Sequence, residues 1–138
     1  MAESRPSVLF VCVKNGGKSQ MAAGLMKNLA QDAIEVHSAG TKPASKINQL
    51  SAESLTEIGI DISHETPKAI TPEAVSNADL VVTLGSEAHV DEVDGTQFEN
   101  WDIDEPSERG IEGMERMRLV RDDIARHVEE LKKQLLAR

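Results

Sequence analysis

The stretch Val8-Leu9-Phe10-Val11-Cys12-Val13-Lys14-Asn15-Gly16-Gly17-Lys18-Ser19-Gln20-Met21 decides how the chain is read. An apolar run ends at the only cysteine, a short loop rich in glycine and lysine follows, and a helical pattern begins at Ser19. That order is strand, anion-binding loop, helix. Two adjacent glycines let backbone N–H groups turn inward together, and a helix N-terminus adds partial positive charge. Lys14 and Lys18 add full charges. Val13, Lys14, Asn15, Gly16, Gly17, Lys18 and Ser19 are therefore expected to hold an oxyanion, with Cys12 aimed at its central atom. The same field favours a thiolate over a thiol, so Cys12 is expected to be ionised at neutral pH and nucleophilic.

Two other readings compete. Cysteine is often a small, inert core residue, and Cys12 closing a strand fits that description. The glycine pair, the two lysines and Ser19 weigh against it. A nucleotide P-loop requires G-x-x-x-x-G-K-[ST]. Gly17-Lys18-Ser19 supplies only its end, and Cys12 stands near the place of the first glycine.

Working outward, the 138 residues suit one domain, 1–138. A chain of this size buries a core without staples. A formal net charge of -9 argues against a nucleic-acid partner. The acidic groups lie mostly outside the Cys12 stretch, so the loop is a local positive site on an acidic body. No apolar leader and no bilayer-length run is present, and a cytoplasmic protein without membrane contact is expected. A single cysteine permits no internal disulfide and no thiol-rich metal site. No metal and no tightly bound cofactor is expected.

Met1 to Pro6 reads as a loose polar lead. Ser7 to Val11 is an apolar strand suited to the middle of a parallel sheet. Met21, Ala22, Leu25, Met26 and Leu29 share one face of a helix from Ser19 to about Gln31. Ile34 to Ala39 is a second strand, and Ser38-Ala39-Gly40-Thr41 turns the chain into a polar loop. His37 is expected to pack at the strand. Ser51 to Ile58 forms a short helix with Leu55 and Ile58 inward and Gly59 as its stop. Asp61 and His64 are read as a structural turn that seats the next segment. Thr71-Pro72-Glu73 carries an N-cap, a proline at the first helical position and an acid in the first turn, opening a helix to Asn77. Asp79 to Gly85 is a third apolar strand, and Gln97 to Trp101 a weak fourth at an edge. His89, among Glu87, Asp91 and Glu92, reads as part of a solvated acidic face rather than a metal site.

A second chemical stretch is Trp101-Asp102-Ile103-Asp104-Glu105-Pro106-Ser107. An acidic cluster ending at proline holds a carboxylate on a stiffened loop. A long helix then runs from about Gly110, with Met117, Val120, Ile124, Val128, Leu131 and Leu135 in one stripe over the sheet. Arg109, Arg116, Arg118 and Arg121 are expected to pair with acidic neighbours along its surface, and His127 to lie at that surface. The fold class is α/β: one domain, a four-stranded parallel sheet flanked by helices, with the Cys12 loop at the carboxyl end of the first strand.

Cys12 to Ser19 resembles the C-x5-R-[ST] loop of the low-molecular-weight protein tyrosine phosphatase superfamily, which includes thioredoxin-linked and mycothiol-linked arsenate reductases. Asn15 matches the loop asparagine. Ser19-Gln20-Met21-Ala22 is similar to the R-S-Q-M-A step of the arsenate-reductase branch. Ser38-Ala39-Gly40-Thr41 and Gly59-Ile60-Asp61-Ile62-Ser63-His64 resemble further segments, so the likeness covers nearly the whole chain. Lys18 departs from the pattern, since the superfamily has arginine there, and lysine offers a point charge in place of a fork.

The resemblance implies that a carboxylate before the proline is the general acid. Glu105 aligns directly, while Asp104 has the expected side-chain length and is the preferred of the two. A plain surface turn is the alternative. The resemblance also implies two chemistries for Cys12: phosphate-ester hydrolysis through a phosphocysteine, or attack on arsenate followed by a second thiol. Three features tilt toward arsenate. There is no Tyr, one Trp and two Phe to wall a phosphotyrosine crevice. Lys18 weakens bidentate stabilisation of a phosphoryl transition state. Lys14 with Ser19 to Ala22 looks like the arsenate branch. Thioredoxin-linked members carry resolving cysteines absent here, so an external low-molecular-weight thiol is expected. The run Asp104 to Gly110 resembles the actinobacterial arsenate–mycothiol transferases, implying mycothiol as co-substrate and a mycoredoxin-like reductase as partner. A phosphatase, a phosphocysteine carrier and a non-enzymatic oxyanion-binding module are the competing functions.

Overall fold

The computed structural model describes residues 5–137. Strands β1 (Ser7–Cys12), β2 (Glu35–Gly40), β3 (Leu80–Leu84) and β4 (Gln97–Trp101) alternate with helices α1 (Lys18–Ala30), α2 (Gln49–Thr56), α3 (Pro72–Asn77) and α4 (Gly113–Leu136). The sheet order is β2-β1-β3-β4, and each pairing is parallel. The expected α/β architecture and the edge position of Gln97–Trp101 are both present.

β1 lies between two strands and every one of its residues is buried. Strand alternation divides its side chains between two cores. Val8 and Phe10 join the layer built by α1, α2 and α4, while Leu9 and Val11 join Val75 and Ala78 of α3's side. All six stripe residues of α4, from Met117 to Leu135, are buried. Thr71 caps α3 through Oγ1, which accepts from the Ala74 N–H.

Gly24 explains how tightly α1 is seated. A Cβ there would stand 2.9 Å from Ile62 Cγ2 and 3.2 Å from Leu55 Cδ1. α1 therefore packs on the sheet on one side and on the Ile60–Ile62 segment on another, which also buries Ala23, Ser19 and Gln20.

Several expectations are corrected. Leu29 is exposed rather than inward, because the buried side of α1 turns toward residues 19–26. Ile58 is exposed as well. α2 closes two residues earlier than expected, at Thr56: Gly59, at φ +86°, lets its own N–H reach Thr56 C=O while the Ile60 N–H reaches Leu55 C=O. That closure swings Ile58 out and gives Ile60 the buried place. His127 is not a free surface residue. Its ring stacks on Trp101 at a centroid distance of 4.9 Å, and Trp101 in turn meets Phe10 at 5.6 Å. Arg5 and Pro6 are tied down, since Arg5 pairs with Glu35 and Pro6 C=O accepts from the Glu35 N–H; the rest of the supposed loose lead, 1–4, lies outside the described residues. His37 is exposed and bonds Glu35 at 2.8 Å. Asp61 forms a local turn, accepting from the Ser63 N–H and hydroxyl, while His64 pairs with Glu65. No helix among the described residues is long and apolar enough to cross a membrane.

Candidate active site

Cys12 ends β1 and is buried, and α1 begins six residues later. Four loop carbonyls, those of Cys12, Val13, Lys14 and Gly16, accept from the N–H groups of Thr41, Lys42, Ala44 and Asn48. Residues 41–48 thus fasten the outer rim of the loop. The N–H groups of Lys14, Gly16 and Gly17 have no acceptor among the described residues. α1 has no side-chain cap and no acid in its first turn, so its leading N–H groups are also unspent. An anion above Cys12 would satisfy them.

Gly40 makes the closeness of these two segments feasible. A Cβ at that position would lie 2.7 Å from Val13 O and 2.9 Å from Asn15 Cβ.

The centre of the loop is Asn15, fully buried and left-handed at φ +50°, a conformation asparagine tolerates better than most residues. The Lys68 N–H donates to Asn15 Oδ1 at 2.8 Å. A backbone N–H is only a donor, so this contact fixes which end of the amide is oxygen. Asn15 Nδ2 must then be the group 2.7 Å from Ser19 Oγ. Ser19 Oγ lies 3.0 Å from Cys12 Sγ, and its hydroxyl proton donates there when the sulfur is a thiolate. The Asn15 N–H reaches the same sulfur at 3.3 Å. A thiolate at Cys12 would thus accept two hydrogen bonds, from the Ser19 hydroxyl and the Asn15 N–H. Gln20 Nε2 closes the network on Asn15 Oδ1 at 3.1 Å and on Thr66 C=O at 3.3 Å.

Lys18 and Lys14 behave differently. Lys14 is exposed. Lys18 reaches inward, with Nζ 3.6 Å from Glu105 Oε1 and close beside Gly85. Glu105 Oε2 accepts from Arg116 Nε at 2.9 Å and from Ser107 Oγ at 2.9 Å, and Arg116 Nη2 lies 2.9 Å from the same oxygen. Arg116 first, then Ser107 and the charge of Lys18, hold the Glu105 carboxyl below its ordinary value against the opposing effect of burial. Asp104 faces a different partner. Arg109 grips it in a fork at 2.8 and 3.1 Å and lowers its carboxyl in the same direction. Both carboxylates line the cleft with Cys12, but among the two only Glu105 touches the loop cation.

The cleft of about 1500 Å3 runs from the loop between residues 44–52, residues 102–108 and the start of α4, and no aromatic side chain lines it. Among the described residues no group of three or more His, Cys, Asp and Glu could hold a metal ion. His89 pairs with Asp91 in full exposure.

Residues 7–138 match the family described as low molecular weight phosphotyrosine protein phosphatase. The chain belongs to that family. Its curated relatives include an arsenate reductase of Bacillus licheniformis, 35% identical with 91% of this chain and 94% of that protein covered. Another is an arsenate reductase of Staphylococcus aureus, 33% identical with 94% and 98% covered. Among solved structures, the thioredoxin-dependent arsenate reductase of Corynebacterium glutamicum superimposes with a TM-score of 0.84 at 33% identity. That comparison covers 99% of this chain and 65% of the other, so the chain spans about two thirds of that protein's length.

Within this low-molecular-weight phosphatase scaffold, Cys12, Val13, Lys14, Gly16, Gly17 and Lys18 line one cleft, while the Asn15 and Ser19 side chains bond each other beneath it. Three contributors escaped the sequence. Gln20 was visible only as part of a motif, Gly40 only as a turn, and Arg116 only as one of four clustered arginines. The pairings of those arginines also differ from expectation. Arg109 and Arg116 hold the acidic loop, while Arg118 and Arg121 reach Glu57 across 61 and 64 residues. Only Arg121 also takes an acidic neighbour on its own helix, Asp122.

Proposed function

We propose that the protein is an arsenate reductase that works by thiol transfer. Cys12 Sγ attacks arsenic in an arsenate held by the free N–H groups of Lys14, Gly16 and Gly17, by those that open α1, and by Lys18. An As–O bond breaks, water leaves after protonation, and a Cys12–arsenic(V) adduct forms. An external low-molecular-weight thiol, mycothiol in the reading favoured here, attacks arsenic and displaces Cys12 as the thiolate. A thiol of a mycoredoxin-like partner then attacks the sulfur of the released adduct. The S–As bond leaves its electron pair on arsenic, giving arsenite, and the two sulfurs become a mixed disulfide. Arsenic gains two electrons and the thiol pair loses two. The setting is cytoplasmic, where thiols stay reduced.

One observation carries this reading: the sulfur poised by Ser19 and Asn15 is the only sulfur of a cysteine in these 138 residues. No neighbour within the chain supplies the second thiol. Of the carboxylates that line the cleft, Glu105 contacts Lys18, which supports it over Asp104 as the group that handles the departing oxygen's proton.

The family's own description favours a second reading, phosphate-ester hydrolysis through a phosphocysteine. A cleft without aromatic walls and a lysine in place of a forked arginine speak against tyrosyl phosphate. Turnover of arsenate and of an aryl phosphate, each with and without added thiol, separates the two. We expect arsenite only when thiol is present and little aryl-phosphate hydrolysis. Brisk aryl-phosphate turnover without thiol, and no arsenite under any condition, would establish the phosphatase reading instead.

A further inference from the structure

We infer that Glu105, clamped by Arg116 and resting on Lys18, is a specificity-determining residue that admits oxyanions bearing an acidic O–H and rejects those without one. The inference rests on the reading that the oxyanion sits in the 12–19 loop.

Glu105 is fixed from three elements. Its Oε2 is occupied by Arg116 of α4 and by Ser107 of the short 3-10 turn Pro106–Arg109. Its Oε1 remains toward Lys18 Nζ of α1 at 3.6 Å. Pro106 is buried and stiffens the turn at the next residue. The carboxylate therefore stays in place when an anion arrives, and the two must share one ammonium group. Two anions in that position repel unless a proton lies between them. Hydrogen arsenate and hydrogen phosphate carry such a proton at neutral pH, and Glu105 Oε1 accepts it as a hydrogen bond. Sulfate has the same tetrahedral shape but carries no proton, so it faces an ionised carboxylate with nothing to donate. Juxtaposed like charges of this kind discriminate strongly. Asp102, Asp104 and Glu108 also line the cleft, yet none of them is paired with Lys18.

The test is protection of Cys12 from iodoacetamide by phosphate, arsenate or sulfate at matched ionic strength, with calorimetric titration of the same anions. In the natural protein, phosphate and arsenate should protect Cys12 and sulfate should bind roughly tenfold or more weakly. Glu105→Gln, which removes the charge and offers a donor, should bring sulfate to within about threefold of phosphate. Glu108→Gln should leave the ratio unchanged. Equal protection by sulfate and phosphate in the natural protein would overturn the inference while leaving the loop as the oxyanion site. A preference for phosphate that survives Glu105→Gln would overturn it as well. Failure of all three anions to protect Cys12 would overturn both this inference and the reading beneath it.

Discussion

Ser19 has one proton and two claims on its oxygen. Asn15 Nδ2 donates to that oxygen at 2.7 Å, and the hydroxyl proton turns to the Cys12 thiolate at 3.0 Å. Ser19→Ala deletes that donor and leaves the Asn15 N–H as the remaining hydrogen bond to sulfur. A hydrogen bond to a charged group contributes about 1.5–3 kcal/mol, so turnover should fall by roughly one to two orders of magnitude. Steady-state arsenite formation checks this; an unchanged rate would show that the hydroxyl does not support the sulfur. Cys12→Ser should abolish arsenite formation altogether, and any retained turnover would remove Cys12 from the chemistry. At this scale the sequence was legible in part. Strand, glycines, lysines and serine pointed to the loop because anion binding needs local backbone geometry. The buried amide of Asn15 was legible only through resemblance, since its partner Lys68 stands 53 residues away.

Two segments meet where residues 41–48 fasten the 12–19 loop, and Gly40 sets their spacing. Gly40→Ala places a methyl group 2.7 Å from a backbone oxygen, which must move the loop rather than a flexible side chain. Overpacking of this kind costs about 1–3 kcal/mol, and protection of Cys12 by phosphate should weaken along with the unfolding midpoint. A variant with normal stability and normal protection would contradict the fastening. Glu57, following α2, ties that helix to α4 through Arg118 and Arg121. Arg118 foremost lowers the Glu57 carboxyl from 4.5 to about 2. Between those values the unfolded chain binds the proton and the folded chain does not. Glu57 therefore contributes stability in full above about pH 4.5, and this is lost as pH falls toward about 2. Between about pH 5 and about pH 3, the denaturant midpoint of the natural protein should drop more than that of Glu57→Gln; parallel curves would contradict the tie. Element patterns in the sequence held for the α4 stripe and the Thr71 cap, though not for Leu29 at the end of α1. They failed for Ile58, where one left-handed glycine redirected the chain, and for His127, whose stacking partner lies on a strand far away in sequence.

Across the whole molecule, the parallel sheet brings the end of β1, the turn after β4 and the start of α4 to one cleft, as open α/β sheets do at the carboxyl ends of their strands. That convergence places Cys12, Lys18, Glu105 and Arg116 together without a metal-binding cluster or an aromatic wall among the described residues. The fold class was readable because buried strands and amphipathic helices alternate. The meeting of Arg116 with Glu105 was not, because helical spacing offered Arg116 equally good partners on its own surface. In the proposed mechanism Cys12 attacks arsenate and the second sulfur comes from a small thiol outside the chain. The direct measurement is arsenite formed by the purified protein from arsenate, supplied either with mycothiol and a mycoredoxin or with thioredoxin and its reductase alone. Sustained arsenite production is expected with the first mixture and none with the second. Equal turnover with thioredoxin alone would contradict the mechanism.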